Sequence, residues 1–188
     1  MKNFKKLTIL AALAILGFSA NAQDNNTDNH VITIVVPNVA LLDLEPTTGG
    51  KDFTSTLTQS TEAGDKVTLP ASNTNLWLNY SSIIPTTIVT ARRVSVKASA
   101  LVPGVDISVV AGTSTTGFGT KGTPTSAVTL TLVDQPLING IGSAYTVSGA
   151  SKGHQLTYAF TALDANYGNL RANGAGTAVT VTYTLVDY

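Results

Sequence analysis

Residues 177–188 read Thr-Ala-Val-Thr-Val-Thr-Tyr-Thr-Leu-Val-Asp-Tyr. Val179, Val181, Tyr183 and Leu185 occupy every second position, with Thr180, Thr182 and Thr184 between them. Successive side chains of a strand point to opposite faces, so this spacing puts the apolar groups on one face and the hydroxyls on the other. A helix would scatter both sets around its circumference. The segment therefore reads as a strand with one dry and one wet face.

The same alternation recurs upstream, in Val128, Leu130 and Leu132 against Thr129 and Thr131, and in Leu76 and Leu78 against Asn75 and Asn79. Beyond residue 22, 28 of the 166 residues are Thr, mixed with Val, Ile and Leu, a composition that favours pleated surfaces. No stretch there carries a helical period. The runs between turn signals predict about ten strands, near residues 30–36, 39–44, 53–59, 66–69, 74–80, 87–98, 105–111, 127–133, 154–163 and 177–187. Turn residues punctuate them at Pro46 to Gly50, Glu62 to Asp65, Pro103 and Gly104, Thr113 to Pro124, Asn139 to Gly142, Gly149 to Gly153 and Asn173 to Gly176. The expected class is all-β, a single immunoglobulin-like sandwich, with a closed barrel as the structural alternative. An outer-membrane barrel fits poorly, because its outward face would be Thr rather than an apolar band. The stretch 113–124, rich in Gly and Thr, reads as a long mobile loop with Phe118 exposed at its centre.

The chain begins with Lys2, Lys5 and Lys6, then an apolar run from Leu7 to Phe18, then Ser19-Ala20-Asn21-Ala22 before Gln23. Basic, apolar and small-residue regions in that order are a secretory signal peptide, expected over residues 1–22 with cleavage after Ala22. The apolar run is shorter than the ~20 residues that span a bilayer, and no membrane span is expected in the mature chain. Residues 23–29 are wholly polar and read as a leading arm, and residues 30–188 as one β domain. With no cysteine, an exported domain of this kind relies on its core or on neighbours for stability. Taking three lysines from the 11 basic side chains leaves 8 against 11 acidic ones, a net charge of −3. That balance offers no electrostatic footprint for nucleic acid or anionic lipid.

No catalytic constellation stands out, and no catalytic residue, metal site or cofactor is expected. The mature chain has two histidines, His30 in the arm and His154 in Ser151-Lys152-Gly153-His154, which reads more simply as a turn than as a nucleophile with its base. Asp43 and Glu45 share a strand face, as a glycosidase pair could, but lead into the turn at Pro46. Asp106, Asp134 and Asp164 are too scattered for a calcium loop, and zinc has neither cysteines nor neighbouring histidines. Trp77 alternates with Leu76 and Leu78 and reads either as core or as a platform on which a sugar stacks. Tyr158, Tyr167 and Tyr183 read as packing residues with a hydroxyl at the sheet edge.

Signal peptide, polar arm, an alternating segment at His30 to Val36, a Thr- and Val-rich β domain and a last strand from Thr177 to Val186 together resemble chaperone-usher fimbrial subunits and the related spore-coat-U-like group. Tyr188 stands at the end, where that family has a penultimate aromatic, and Gly174 and Gly176 bracket its conserved glycine position. The absence of cysteines departs from many such pilins. The chain is also similar to small secreted proteins of Gram-negative environmental bacteria carrying Leu-Trp-Leu-Asn-Tyr-Ser-Ser, here Leu76 to Ser82, and ending in Thr-Val-Thr-Tyr-Thr-Leu, here Thr180 to Leu185. The fimbrial resemblance implies a pilin-like sandwich, export through the periplasm to the cell surface, self-association into a polymer, a periplasmic chaperone and outer-membrane assembly protein as partners, and adhesion as the purpose.

The physical logic of such assembly needs only an open sheet edge and a spare strand. Ile32, Ile34 and Val36 on one face, or Val31 and Val35 on the other, are the candidate plugs. Residues 30–36 could equally pair within their own domain. The competing function is a monomeric extracellular carbohydrate-binding module using Trp77 or Phe118.

Overall fold

The computed structural model describes residues 26–85 and 89–188. The expected signal peptide and Gln23 lie outside the described residues, as does the start of the strand expected at 87–98. Residues 26–35 fall in a unit separate from Val36–Tyr188 and carry no strand or helix. The second unit is all-β. Its strands are β1 (Val39–Pro46), β2 (Asn73–Ile83), β3 (Arg92–Ala98), β4 (Asp106–Ala111), β5 (Phe118–Pro124), β6 (Val128–Thr129), β7 (Gln135–Tyr145), β8 (His154–Thr161) and β9 (Val181–Asp187). One 3₁₀ turn, Asp164–Asn169, sits between the last two.

All nine strands join one antiparallel sheet, and the two 11-residue strands, β2 and β7, explain its shape. One edge of β2 carries β1 throughout. The other pairs with β8 from Asn73 to Leu78 and then, at Ser81 and Ser82, with β7. In turn β7 carries β5 on one edge, and on the other β3 followed by that short join to β2. The sheet thus has two wings, β6-β4-β8-β2-β1 and β5-β7-β3-β9, joined where β2 and β7 meet. A single apolar cluster draws on both: Leu76, Leu78, Val109 and Leu156 from the first, Val94, Val96, Leu137 and Ile141 from the second. The fold is one antiparallel all-β sheet whose two wings share a single core, with alternation supplying the inward residues.

Three readings of the sequence are corrected. The sequence predicts no strand between 133 and 154 and reads a turn at Asn139 to Gly142; instead β7, central to the second wing, runs through it and absorbs the Asn-Gly pair, with Gly140 at φ +71° beside a register shift against β3. β5 replaces most of the expected mobile loop at 113–124. Its glycines explain how: Gly117 and Gly119 have φ of +73° and +92°, and a Cβ on either would collide with the backbone carbonyls of Tyr145 and Ser143. These positions need glycine because β5 lies tight on β7 in a left-handed conformation, so the composition that suggested a loop is what this strand requires. Third, the strand expected at 30–36 is absent, and those at 53–59 and 66–69 shrink to one bridge between Thr58 and Thr68.

Candidate assembly surface

Residues 30–36 make no ladder with the rest of the described chain, and their apolar side chains stand in solvent. Val31 is 88% exposed, Ile32 73%, Ile34 82%, Val35 85% and Val36 66%. Five exposed β-branched residues in six positions are far more apolar surface than such a segment carries without covering it.

The wings end on β1, β5, β6 and β9; β6 has two residues and β5 is rich in glycine, so β1 and β9 are the edges suited to receive such a segment. Among the described residues, β1 pairs with β2 alone and β9 with β3 alone, leaving one backbone edge open on each. Their inward side chains, Leu42 and Leu44 on β1 and Val181, Tyr183 and Leu185 on β9, pack on the core but remain half-buried. Val179, expected within the last strand, lies just before it and is also half-buried against the core. Outward-facing Thr182 and Thr184 are exposed, as the alternation requires. The Tyr183 hydroxyl is 2.5 Å from that of Tyr158, and burial pushes both phenols up, Tyr158 to about 12.

Beneath these edges lies Arg92, 1% exposed. Its Nε donates to Asp187 Oδ1 at 2.5 Å, Nη2 to Asn38 Oδ1 at 2.7 Å, and Nη1 to Ser82 Oγ and the Ile83 carbonyl, each at 3.2 Å, and to the Val39 carbonyl. One planar guanidinium thereby ties the start of β1, the end of β2 and the end of β9. It also fixes Asn38, two residues beyond Val36. Sequence reasoning missed this residue, although its parity is a signal: Arg92, Val94, Val96 and Ala98 share a face, and a charge among inward apolar positions requires partners.

The other candidates fall in separate places. Trp77 is half-buried on the outer face of the first wing, opposite Glu45 and Gln155, and its Nε1 donates to Thr47 Oγ1 at 2.9 Å. It is therefore neither core nor an open platform. Phe118 is 75% exposed and packs against Tyr145 with ring centroids 6.2 Å apart. His154 is buried: Nδ1 donates to the Gly112 carbonyl at 2.8 Å, and Nε2 lies 2.9 Å from the Tyr80 hydroxyl, which also reaches the Lys121 carbonyl. Burial holds this imidazole below its ordinary value, with the Gly112 bond opposing and the Lys121 charge adding to the effect. No hydroxyl nucleophile in this set faces solvent, so the arrangement is a hydrogen-bonded core cluster. Asp43 is bound by Lys51 at 2.9 Å, which holds its carboxyl below the usual range, and His30 is exposed in the arm. Among the described residues no group of three or more His, Asp or Glu side chains could hold a metal ion, and no helix is long and apolar enough to cross a membrane. Comparison with protein-family models, with curated proteins and with solved structures finds no match.

Proposed function

We propose that this chain is a structural subunit, exported to the cell surface, that assembles into fibres or a coat by donating residues 31–36 to the open edge of another copy. The observation that carries the reading is the exposure of Val31, Ile32, Ile34, Val35 and Val36 in a chain whose β1 and β9 leave apolar side chains half-covered. A strand added to either edge would satisfy its backbone groups through the ladder. One face of the added strand would cover the half-buried residues, each plug contributing about 1.5–3 kcal/mol on full burial. Adhesion, a periplasmic chaperone and an outer-membrane assembly protein follow from the fimbrial resemblance and complete the proposal.

The test is the double variant Ile32→Asp/Ile34→Asp in the full chain. Wild type is expected to form concentration-dependent polymers visible in negative stain and by sedimentation. The variant is expected to stay dispersed at the same concentration with its thermal midpoint unchanged, because a carboxylate at either plug would be buried without a partner. A wild-type protein that remains monomeric at high concentration and when extracted from its native cells would overturn the proposal.

A further inference from the structure

The outer face at the junction of the wings carries a second feature, unconnected with the arm. Register places Leu41 of β1 opposite Ser81 of β2, Ser81 opposite Tyr145 of β7, and Tyr145 opposite Phe118 of β5. Residues directly opposite across a ladder point to the same face, so these four form one row over four strands. Leu41 is 65% exposed, Tyr145 47% and Phe118 75%. Ser81 is the small member between two large ones, and the row dips there into a cavity of ≈ 330 Å³ also lined by Asn79, Val147 and Ser148. Val147 stands at its rim with φ +73°, a left-handed conformation that a β-branched side chain resists and that the surrounding turn imposes.

We infer that this cleft is a binding site for a single neutral sugar ring. Its size is at the low end of the ~300–1,000 Å³ of small-ligand cavities, enough for one ring. Tyr145 is the exposed aromatic that lines the cleft and offers its ring to an apolar C–H face, with Leu41 opposite; Phe118 lies behind Tyr145, its plane 49° from that ring, and backs it without lining the cleft. The hydroxyls of Ser81, Ser148 and Tyr145 have no hydrogen-bond partner among the described residues, so they are free to exchange bonds with a ligand's hydroxyls. Asn79 lies at the floor, where its Nδ2 donates to the Gly149 carbonyl at 2.9 Å and its buried Oδ1 has no hydrogen-bond partner among the described residues. Charge bears on the class: Asp43 itself lines the cleft and is paired with Lys51 at 2.9 Å, so the carboxylate in the lining already has its cation and repels an anionic ligand more than it attracts one.

The experiment is ligand-observed saturation-transfer NMR on the full chain with the methyl glycosides of glucose, galactose and mannose and with N-acetylglucosamine, and glucuronate as the charged control. At least one neutral probe is expected to receive saturation through the protons of one ring face, with glucuronate receiving less. Tyr145→Ala and Leu41→Ala, both at exposed positions lining the cleft, are expected to weaken binding at least about fivefold with unchanged thermal midpoints, whereas Trp77→Phe leaves it intact. The signal should persist in Ile32→Asp/Ile34→Asp, which separates sugar binding from assembly. Absence of transfer from every neutral probe, preference for glucuronate, or loss of binding in Trp77→Phe but not in Tyr145→Ala would overturn the inference.

Discussion

Replacing Arg92 by Ala removes five hydrogen bonds at once, and their surroundings set the cost. The Asn38 and Asp187 side chains are exposed enough to recover water, and the half-exposed Asp187 carboxylate loses little by losing its partner. Ser82, buried at 1% exposure, and the Val39 and Ile83 carbonyls beneath the sheet edges recover less. An unsatisfied buried acceptor costs about 1–3 kcal/mol, and breaking a buried charged network about 3–5 kcal/mol. With the guanidinium volume also lost, we expect about 4 kcal/mol. At about 2–4 °C per kcal/mol for a domain of this size, the melting midpoint should fall by roughly 8–16 °C, measured by circular dichroism. Arg92→Lys separates charge from geometry: one ammonium cannot reach acceptors spread over three strand ends, so it should recover less than half of the loss. A drop below about 4 °C for the alanine variant, or a lysine variant as stable as wild type, would refute this account of how β1 and β9 are held.

Other expectations follow from buried groups. Because His154 is held below its ordinary value of 6.5, the unfolded chain binds its proton first; stability is complete above that pH and falls as pH drops through it, by at most ~1.4 kcal/mol per pH unit, and His154→Gln should flatten this part of a denaturant-midpoint profile. Tyr80, Tyr158 and Tyr183 are all pushed up by burial, so ultraviolet titration of tyrosinate should show a late step coinciding with loss of the circular dichroism signal; smooth ionisation of every tyrosine in the folded protein would contradict their burial. Chelator should leave the melting midpoint unchanged, and a clear decrease would reveal a structural ion.

What the sequence made legible was the part whose physics is local. Strict alternation located the strands at 74–80, 105–111, 154–163 and 177–187, because inward and outward residues there differ sharply in polarity. β5 and β7 escaped because glycine has two uses: it marks turns, and it permits the close approach and positive φ that Gly117 and Gly119 show against β7. His30 to Val36 failed in the opposite sense, since the alternation is present but nothing in the described chain pairs with it. The candidate surfaces were legible to the same degree. The apolar residues of the arm and of β9 could be named from spacing, whereas the row from Leu41 to Phe118 depends on a four-strand register that no local pattern encodes. Arg92 lies between these cases, visible by parity but with partners contributed by Asn38, Ser82 and Asp187 from three distant stretches.

The pairing of β3 with β9 sets a schedule for the making of this protein. Arg92 is matched to Asp187 and Ala98 to Val181, so the outer edge of β3 has no partner until nearly the last residue has been made. Because a chain emerges N-terminus first, whether from the ribosome or across a membrane, that edge stays open until the intervening stretch has followed it out. During this interval the Val94 and Val96 strand is a template for any extended chain nearby, and native β9 must compete with every other copy being made. A truncation that removes even the last seven residues would leave that window permanently open, turning a folding delay into an aggregation hazard.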